Sequence, residues 1–231
     1  MVSPIFAALD FPDLASAVSI ATAVRGEVGG FKVGLELIWN EGPAAVEAVG
    51  ALGRPVFVDA KLHDIPNTVF GAARAIGKLG PRFVTVHASG GTDVVEAAVA
   101  GLAETSPEAG VLAVTVLTSL SQHDYSSAGF RGTISEGVGA LVQVATAGGA
   151  EGVVCAVSDV ATVKMAAPEM LAVTPGIRMA DDVGGDQERI ETPSGAVTAG
   201  ADILVVGRPI TQSPDPARAA RMMADSIRND L

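Results

Sequence analysis

The chain has 231 residues, 48% of them hydrophobic and 18% charged, and carries a formal net charge of −11. The length fits one domain or two at roughly 150 residues each, but a charge content below the roughly 25% of an average globular chain favours one large core and excludes disorder. The acidic balance, the lack of any basic stretch and an aromatic content of 4% exclude a nucleic-acid partner.

Short β-branched runs recur at Ile5–Leu9, Phe31–Gly34, Val56–Asp59, Phe83–His87, Leu112–Leu117, Gly152–Ala156, Leu171–Thr174 and Ile203–Gly207. Ala-rich stretches with helical spacing lie between them, as at Leu14–Val24, Pro43–Leu52 and Thr92–Ala103. Each strand candidate is followed by a helix candidate, which predicts parallel βαβ units. Eight of them predict a compact (β/α)8 TIM barrel, a single catalytic domain over residues 1–231. A doubly wound open sheet is the rival architecture. The strand runs are apolar on both faces, as they must be under covering helices. No Rossmann G-x-G-x-x-G follows the first strand, and no Walker A sequence occurs. The polar stretch Arg178–Gln187 follows the seventh strand and fits either a lid or a plain surface loop.

No apolar run reaches the roughly 18 residues of a membrane span. Cys155 is the only cysteine and cannot pair within the chain. With no secretory leader read at the N-terminus, the expectation is a reducing, cytoplasmic setting.

Charged residues gather at one end of the predicted barrel. Asp10 ends the first strand, Lys32 lies in the second, and Asp59 and Lys61 close the third. Charges in apolar strands are costly unless paired, and C-terminal strand ends are where barrels build chemistry. Asp59 and Lys61 are two apart, so a regular strand points both to one side. Asp64 falls just past them, either as a second carboxylate around the Lys61 ammonium or as the N-cap of the next helix. Two carboxylates would keep Lys61 protonated, an acid and not a Schiff-base nucleophile. Gly207 and Arg208 end the eighth strand and fit either a phosphate grip or a turn glycine beside a solvated arginine. Such a grip would supply the local positive field that an acidic chain needs for an anionic substrate. His87 reads as a hydrogen-bonded wall residue more readily than as a base. His63 and His123 sit in polar contexts, Cys155 reads as packing, and the scattered histidines give no metal-ligand spacing.

In order along the chain stand Ala8-Leu9-Asp10, Phe31-Lys32-Val33-Gly34 and Phe57-Val58-Asp59-Ala60-Lys61-Leu62-His63-Asp64-Ile65-Pro66-Asn67-Thr68. They are followed by Val116-Leu117-Thr118-Ser119, Thr174-Pro175-Gly176-Ile177-Arg178, Gln187 and Gly207-Arg208-Pro209-Ile210-Thr211. This series resembles the orotidine 5'-phosphate decarboxylases of bacterial type, which complete UMP synthesis. The D-x-K-x-x-D core alone is shared with sugar-phosphate relatives.

The resemblance implies a cofactor-free, metal-free carboxy-lyase acting on orotidine 5'-phosphate. It implies Lys61 as proton donor to C6, Asp59 against the departing carboxylate, and Lys32 and Asp64 completing an alternating charge chain. Asp10 and Lys32 would hold the ribose, Thr118 and Ser119 the pyrimidine edge, and Pro175 the base pocket. Gln187, Gly207 and Arg208 would hold the phosphate, with Arg178 a further substrate contact. The family implies a homodimer in which Asp64, Ile65 and Thr68 come from the partner subunit. Two other readings stand beside it: a magnesium-dependent keto-gulonate phosphate decarboxylase of the same superfamily, and a non-catalytic nucleotide-binding barrel.

Overall fold

The structure, a computed structural model, describes residues 3–179 and 191–229. Eight parallel strands run in sequence order: β1 (Ile5–Leu9), β2 (Gly30–Val33), β3 (Val56–Leu62), β4 (Phe83–His87), β5 (Gly110–Val114), β6 (Gly152–Val154), β7 (Leu171–Thr174) and β8 (Ile203–Val206). Each pairs with the next, and β8 returns to β1 in the register Ile5↔Leu204, Phe6↔Val205 and Ala7↔Val206. That last pairing closes the sheet and makes the fold a (β/α)8 barrel, which removes the open-sheet rival.

The strands form because their residues are apolar on both faces and each face has a destination. On β1, Ile5, Ala7 and Leu9 pack outward beneath the helices, while Phe6 and Ala8 point into the barrel. The interior is completed by Phe57, Phe83, Leu112, Val173, Ile203 and Val205. Phe57 meets Phe83 edge to face with ring centroids 6.3 Å apart, and Phe6 tilts against Phe83 at 6.2 Å. These rings stand at the first or second residue of β1, β3 and β4, filling the N-terminal part of the barrel and leaving the open space above them. At the other end, an ion pair between Arg82 and Glu151 lies beneath β4 and β6, with the Arg82 guanidinium 4.1 Å from the Phe83 ring centroid.

Three strands and the helices Leu14–Val24 and Thr92–Ala103 fall where the sequence puts them. The others shift for local reasons. Gly34 and Gly207 leave their strands because each is the residue from which the next helix starts. The fifth strand begins two residues early, at Gly110, and ends at Val114 instead of Leu117. A Cβ at Gly110 would fall 1.8 Å from Glu151 Oε2, so only glycine lets the ion pair close there. Beyond Val114, the Thr115 amide and hydroxyl both donate to the Val154 carbonyl, at 3.1 and 2.8 Å, as the chain turns away. The sixth strand ends at Val154, ahead of a 3-10 turn at Val157–Asp159. The third strand is longer than predicted, running to Leu62 through an irregularity that matters for the site.

Candidate active site

A cavity of about 650 Å³ opens at the C-terminal ends of the strands. Ala8, Phe57, Val154 and Val205 line it, so the barrel interior is its floor. Around the wall stand Asp10, Lys32, Asp59, Lys61, Thr118, Pro175, Arg178, Gly207 and Arg208. Among the described residues of the lining, four cations against the carboxylates of Asp10, Glu36 and Asp59 reverse the sign of a chain with net charge −11. This is the local field an anionic ligand needs.

The charges form one chain. Asp10 Oδ1 lies 2.9 Å from Lys32 Nζ, Lys32 Nζ lies 3.3 Å from Asp59 Oδ2, and Lys61 Nζ lies 2.6 Å from the same oxygen. The Lys32 and Asp59 side chains are each only 10% exposed, deep enough that either alone would favour its neutral form. Burial does push the Lys32 ammonium towards deprotonation, but Asp59 and Asp10 outweigh it and leave its pKa raised. Burial likewise pushes the Asp59 carboxyl up, and Lys32, Lys61 and the Thr85 hydroxyl outweigh that, leaving it lowered. Both groups are held charged.

Asp59 and Lys61 do converge, but not by the regular pleat the spacing suggests. Val58 pairs with Val84 and Leu62 with Val86, so Asp59, Ala60 and Lys61 together oppose the single residue Thr85. The extra residues bulge out of the ladder, and Lys61 takes φ 46°, the left-handed region that costs a non-glycine residue about 1 kcal/mol or more. Thr85 is fully buried. It accepts a hydrogen bond from the Lys61 amide and donates one to Asp59 Oδ1, each 2.9 Å long. Sequence reasoning passed over Thr85, although a signal was there: alternation along Phe83-Val84-Thr85-Val86-His87 aims a hydroxyl inward, where it needs a polar partner.

Asp64 does neither of the things its spacing suggested within one chain. The partner of Lys61 is Asp59, and Asp64 is exposed, its carboxylate accepting from the Ile65 amide at 2.6 Å. Ile65 is itself the N-cap of the helix Pro66–Gly77, with Pro66 fixing the first turn, so Asp64 does not cap it. Residues 63–68 are all exposed, Ile65 at 65%, and Asp64, Ile65 and Thr68 stand outside the cavity wall of their own chain. Ser119 is exposed beyond the wall residue Thr118. Arg208 opens the short helix Arg208–Thr211 from Gly207 and stands exposed at the rim beside Thr211 and Gln212.

His87 differs from its expectation: among the described residues it has a ring neighbour, His63 at 5.1 Å, in place of a hydrogen bond. Burial, then His63 and Lys61, hold its pKa below the ordinary value, which keeps the ring neutral. Cys155 is buried as packing, and burial pushes its thiol up to about 12. Arg178 lines the cavity, and its amide donates to the Glu191 carbonyl at 2.9 Å beside a bridge between Ile177 and Glu191. Ile177 and Arg178 on one side and Glu191 on the other are therefore paired; Gln187 and the rest of the Arg178–Gln187 stretch from Ala180 lie outside the described residues.

With this geometry in view, the comparisons are specific. Residues 3–223 match the model of the "Orotidine 5'-phosphate decarboxylase / HUMPS family". The orotidine 5'-phosphate decarboxylase of Anaeromyxobacter sp. (strain K) is 53% identical over 224 residues, covering 96% of this chain and 97% of that one. That of Thermobifida fusca is 48% identical over 229 residues, covering 98% and 97%. The crystal structure of the Lactobacillus acidophilus enzyme superposes with a TM-score of 0.86 at 35% identity, covering 97% of this chain and 99% of that one. With that coverage and identity, the chain belongs to the orotidine 5'-phosphate decarboxylase / HUMPS family.

Proposed function

We propose that this chain decarboxylates orotidine 5'-phosphate to uridine 5'-phosphate, the last step of UMP synthesis, by direct electrostatic stabilisation at C6. Its similarity to decarboxylases along nearly the whole chain supports the carboxy-lyase activity. The observation that carries the mechanism is the continuous line Asp10–Lys32–Asp59–Lys61 along the cavity wall, buried at its two central members. Loss of carbon dioxide from C6 leaves a carbanion with no adjacent carbonyl to share its charge, so the protein must provide a fixed positive group and a proton there. The Lys61 ammonium does both. Asp59 faces the substrate carboxylate, and their repulsion ends when the carbon dioxide leaves. Lys32, held charged between Asp10 and Asp59, keeps Asp59 ionised and, with Asp10, holds the ribose hydroxyls.

Phosphate held by Gly207, Arg208 and Gln187, with Arg178 at the rim, lies far from C6. Its binding energy can therefore orient the ring without touching the reacting bond. Thr118 and Ser119 read the pyrimidine edge, and Pro175 lines the base pocket. We infer a homodimer in which Asp64, Ile65 and Thr68 enter the partner's cavity, an arrangement supported by their exposure just past β3. Within this reading the chain is one catalytic domain. The buried lone cysteine favours a cytoplasmic setting, and no helix among the described residues is long and apolar enough to cross a membrane.

Asp59 bears on the sugar-phosphate alternative. Its Oδ2 is shared by two ammonium groups and its Oδ1 accepts from Thr85, so three of its roughly four lone-pair sites are taken by lysines and a hydroxyl. A turnover assay following loss of the orotate absorbance tests the proposal. Turnover unchanged by EDTA is expected; no turnover would favour the binding barrel, and turnover lost in EDTA and restored by magnesium would favour metal chemistry.

A further inference from the structure

We propose that Thr85 is a positioning residue of the charge chain, its hydroxyl tying the Asp59 carboxylate to the Lys61 backbone across the β3 bulge. The inference deepens the decarboxylase reading and rests on it. Thr85 lies behind Asp59, fully buried and outside the cavity lining, so it cannot touch a ligand and acts only through its neighbours.

Donor and acceptor chemistry sets the direction of this link. The Lys61 amide can only donate, so the hydroxyl oxygen accepts from it; the Asp59 carboxylate can only accept, so the hydroxyl proton goes to Oδ1. With Oδ1 bound from behind, Oδ2 is left to face both Lys32 Nζ and Lys61 Nζ. One small side chain thus fixes the rotation of the carboxylate and the backbone position of the ammonium-bearing residue. The bulge explains why the task falls to β4. Three β3 residues oppose Thr85 alone, and the left-handed conformation at Lys61 needs a neighbour to hold its amide. Valine at this place would have the same shape and leave both groups unbound.

The experiment compares Thr85→Val, Thr85→Ser and Thr85→Ala with the wild type on orotidine 5'-phosphate. Wild-type turnover comes first, since its absence would sink the decarboxylase reading itself. Thr85→Val should lower kcat about 10- to 100-fold, the range for one hydrogen bond to a charged group, while KM changes by less than about 3-fold. Thr85→Ser should recover most of kcat. A merely structural role would move the melting temperature without splitting kcat from KM in this way. If Thr85→Val does not fold, the Ser and Ala variants still differ by one oxygen. A kcat ratio between them of about 10 or more supports the proposal, and a ratio near one overturns it. Equal kcat for Thr85→Val and wild type overturns it, as does failure of all three variants to fold.

Discussion

Gly34 and Asp10 are in contact without a side chain between them: a Cβ at Gly34 would fall 2.0 Å from Asp10 Oδ1 and 2.8 Å from Lys32 Nζ. The glycine leaves the end of β2 open so that the carboxylate and the ammonium can meet over its backbone. Its φ of −93° and ψ of 179° suit any residue, so the demand is for space alone.

Gly34→Ala should therefore fold normally and still lose activity. The added methyl meets the tip of a half-exposed Asp10 side chain, which can swing away at little cost. Displacing it should lower kcat/KM about 100-fold, as expected for a shift of about an ångström or more in a charge proposed to position substrate. Thermal melting and steady-state kinetics on the same preparation check this; unchanged kcat/KM would reject the role of the pair.

The buried pair predicts how stability varies with pH. Asp59 titrates below its ordinary 3.8, so its contribution is whole above that value and is lost as the pH falls through the lower folded pKa. Lys32 titrates above its ordinary 10.5, so its contribution is whole below that value and is lost as the pH rises through the higher folded pKa. Asp59→Asn should lower stability at neutral pH by about 3–5 kcal/mol, the usual result of breaking a buried pair. The gap between wild type and variant should then narrow below pH 3.8. Urea unfolding from pH 2 to pH 8 measures it, and a constant gap would contradict the assignment.

Arg208→Ala should weaken transition-state binding of the full substrate by about 2 kcal/mol, the low end for one partner of a charge pair, because Arg208 stands exposed at the rim. Little of that loss should remain with a substrate lacking the phosphate, which never makes the contact. Kinetics on both substrates decide the matter: equal losses would mean that Arg208 serves the fold or the chemistry.

Subunit mixing tests whether Asp64 serves the partner's site. Lys61→Ala and Asp64→Ala homodimers should each be nearly inactive while folded. In a mixed dimer one site would carry both defects and the other neither. Full random exchange should restore about a quarter of wild-type activity, since half the dimers are mixed and half their sites are intact. Verified exchange with no recovery would leave the decarboxylase assignment standing and remove the shared site.

What the sequence determined by itself was periodic or local. The alternation of β-branched runs and Ala-rich stretches was enough for eight parallel βα units, because strands buried on both faces tolerate few polar residues and announce themselves. Closure of β8 on β1, against an open sheet, was decided by the tertiary structure. The order of charged residues along successive strand ends was enough to place Asp10, Lys32, Asp59 and Lys61 around one mouth, since parallel strands in a barrel all end on the same side. Tertiary structure decided what depends on neighbours across strands. Spacing within β3 gives no hint that three of its residues oppose Thr85, because a bulge is a mismatch between two strands and not a property of one. For the same reason the partner of Lys61 in its own chain is Asp59 and not Asp64. Pro66 turns the chain into a helix straight after Ile65, and the short segment before it leaves the barrel exposed, with Asp64 bound to the Ile65 amide.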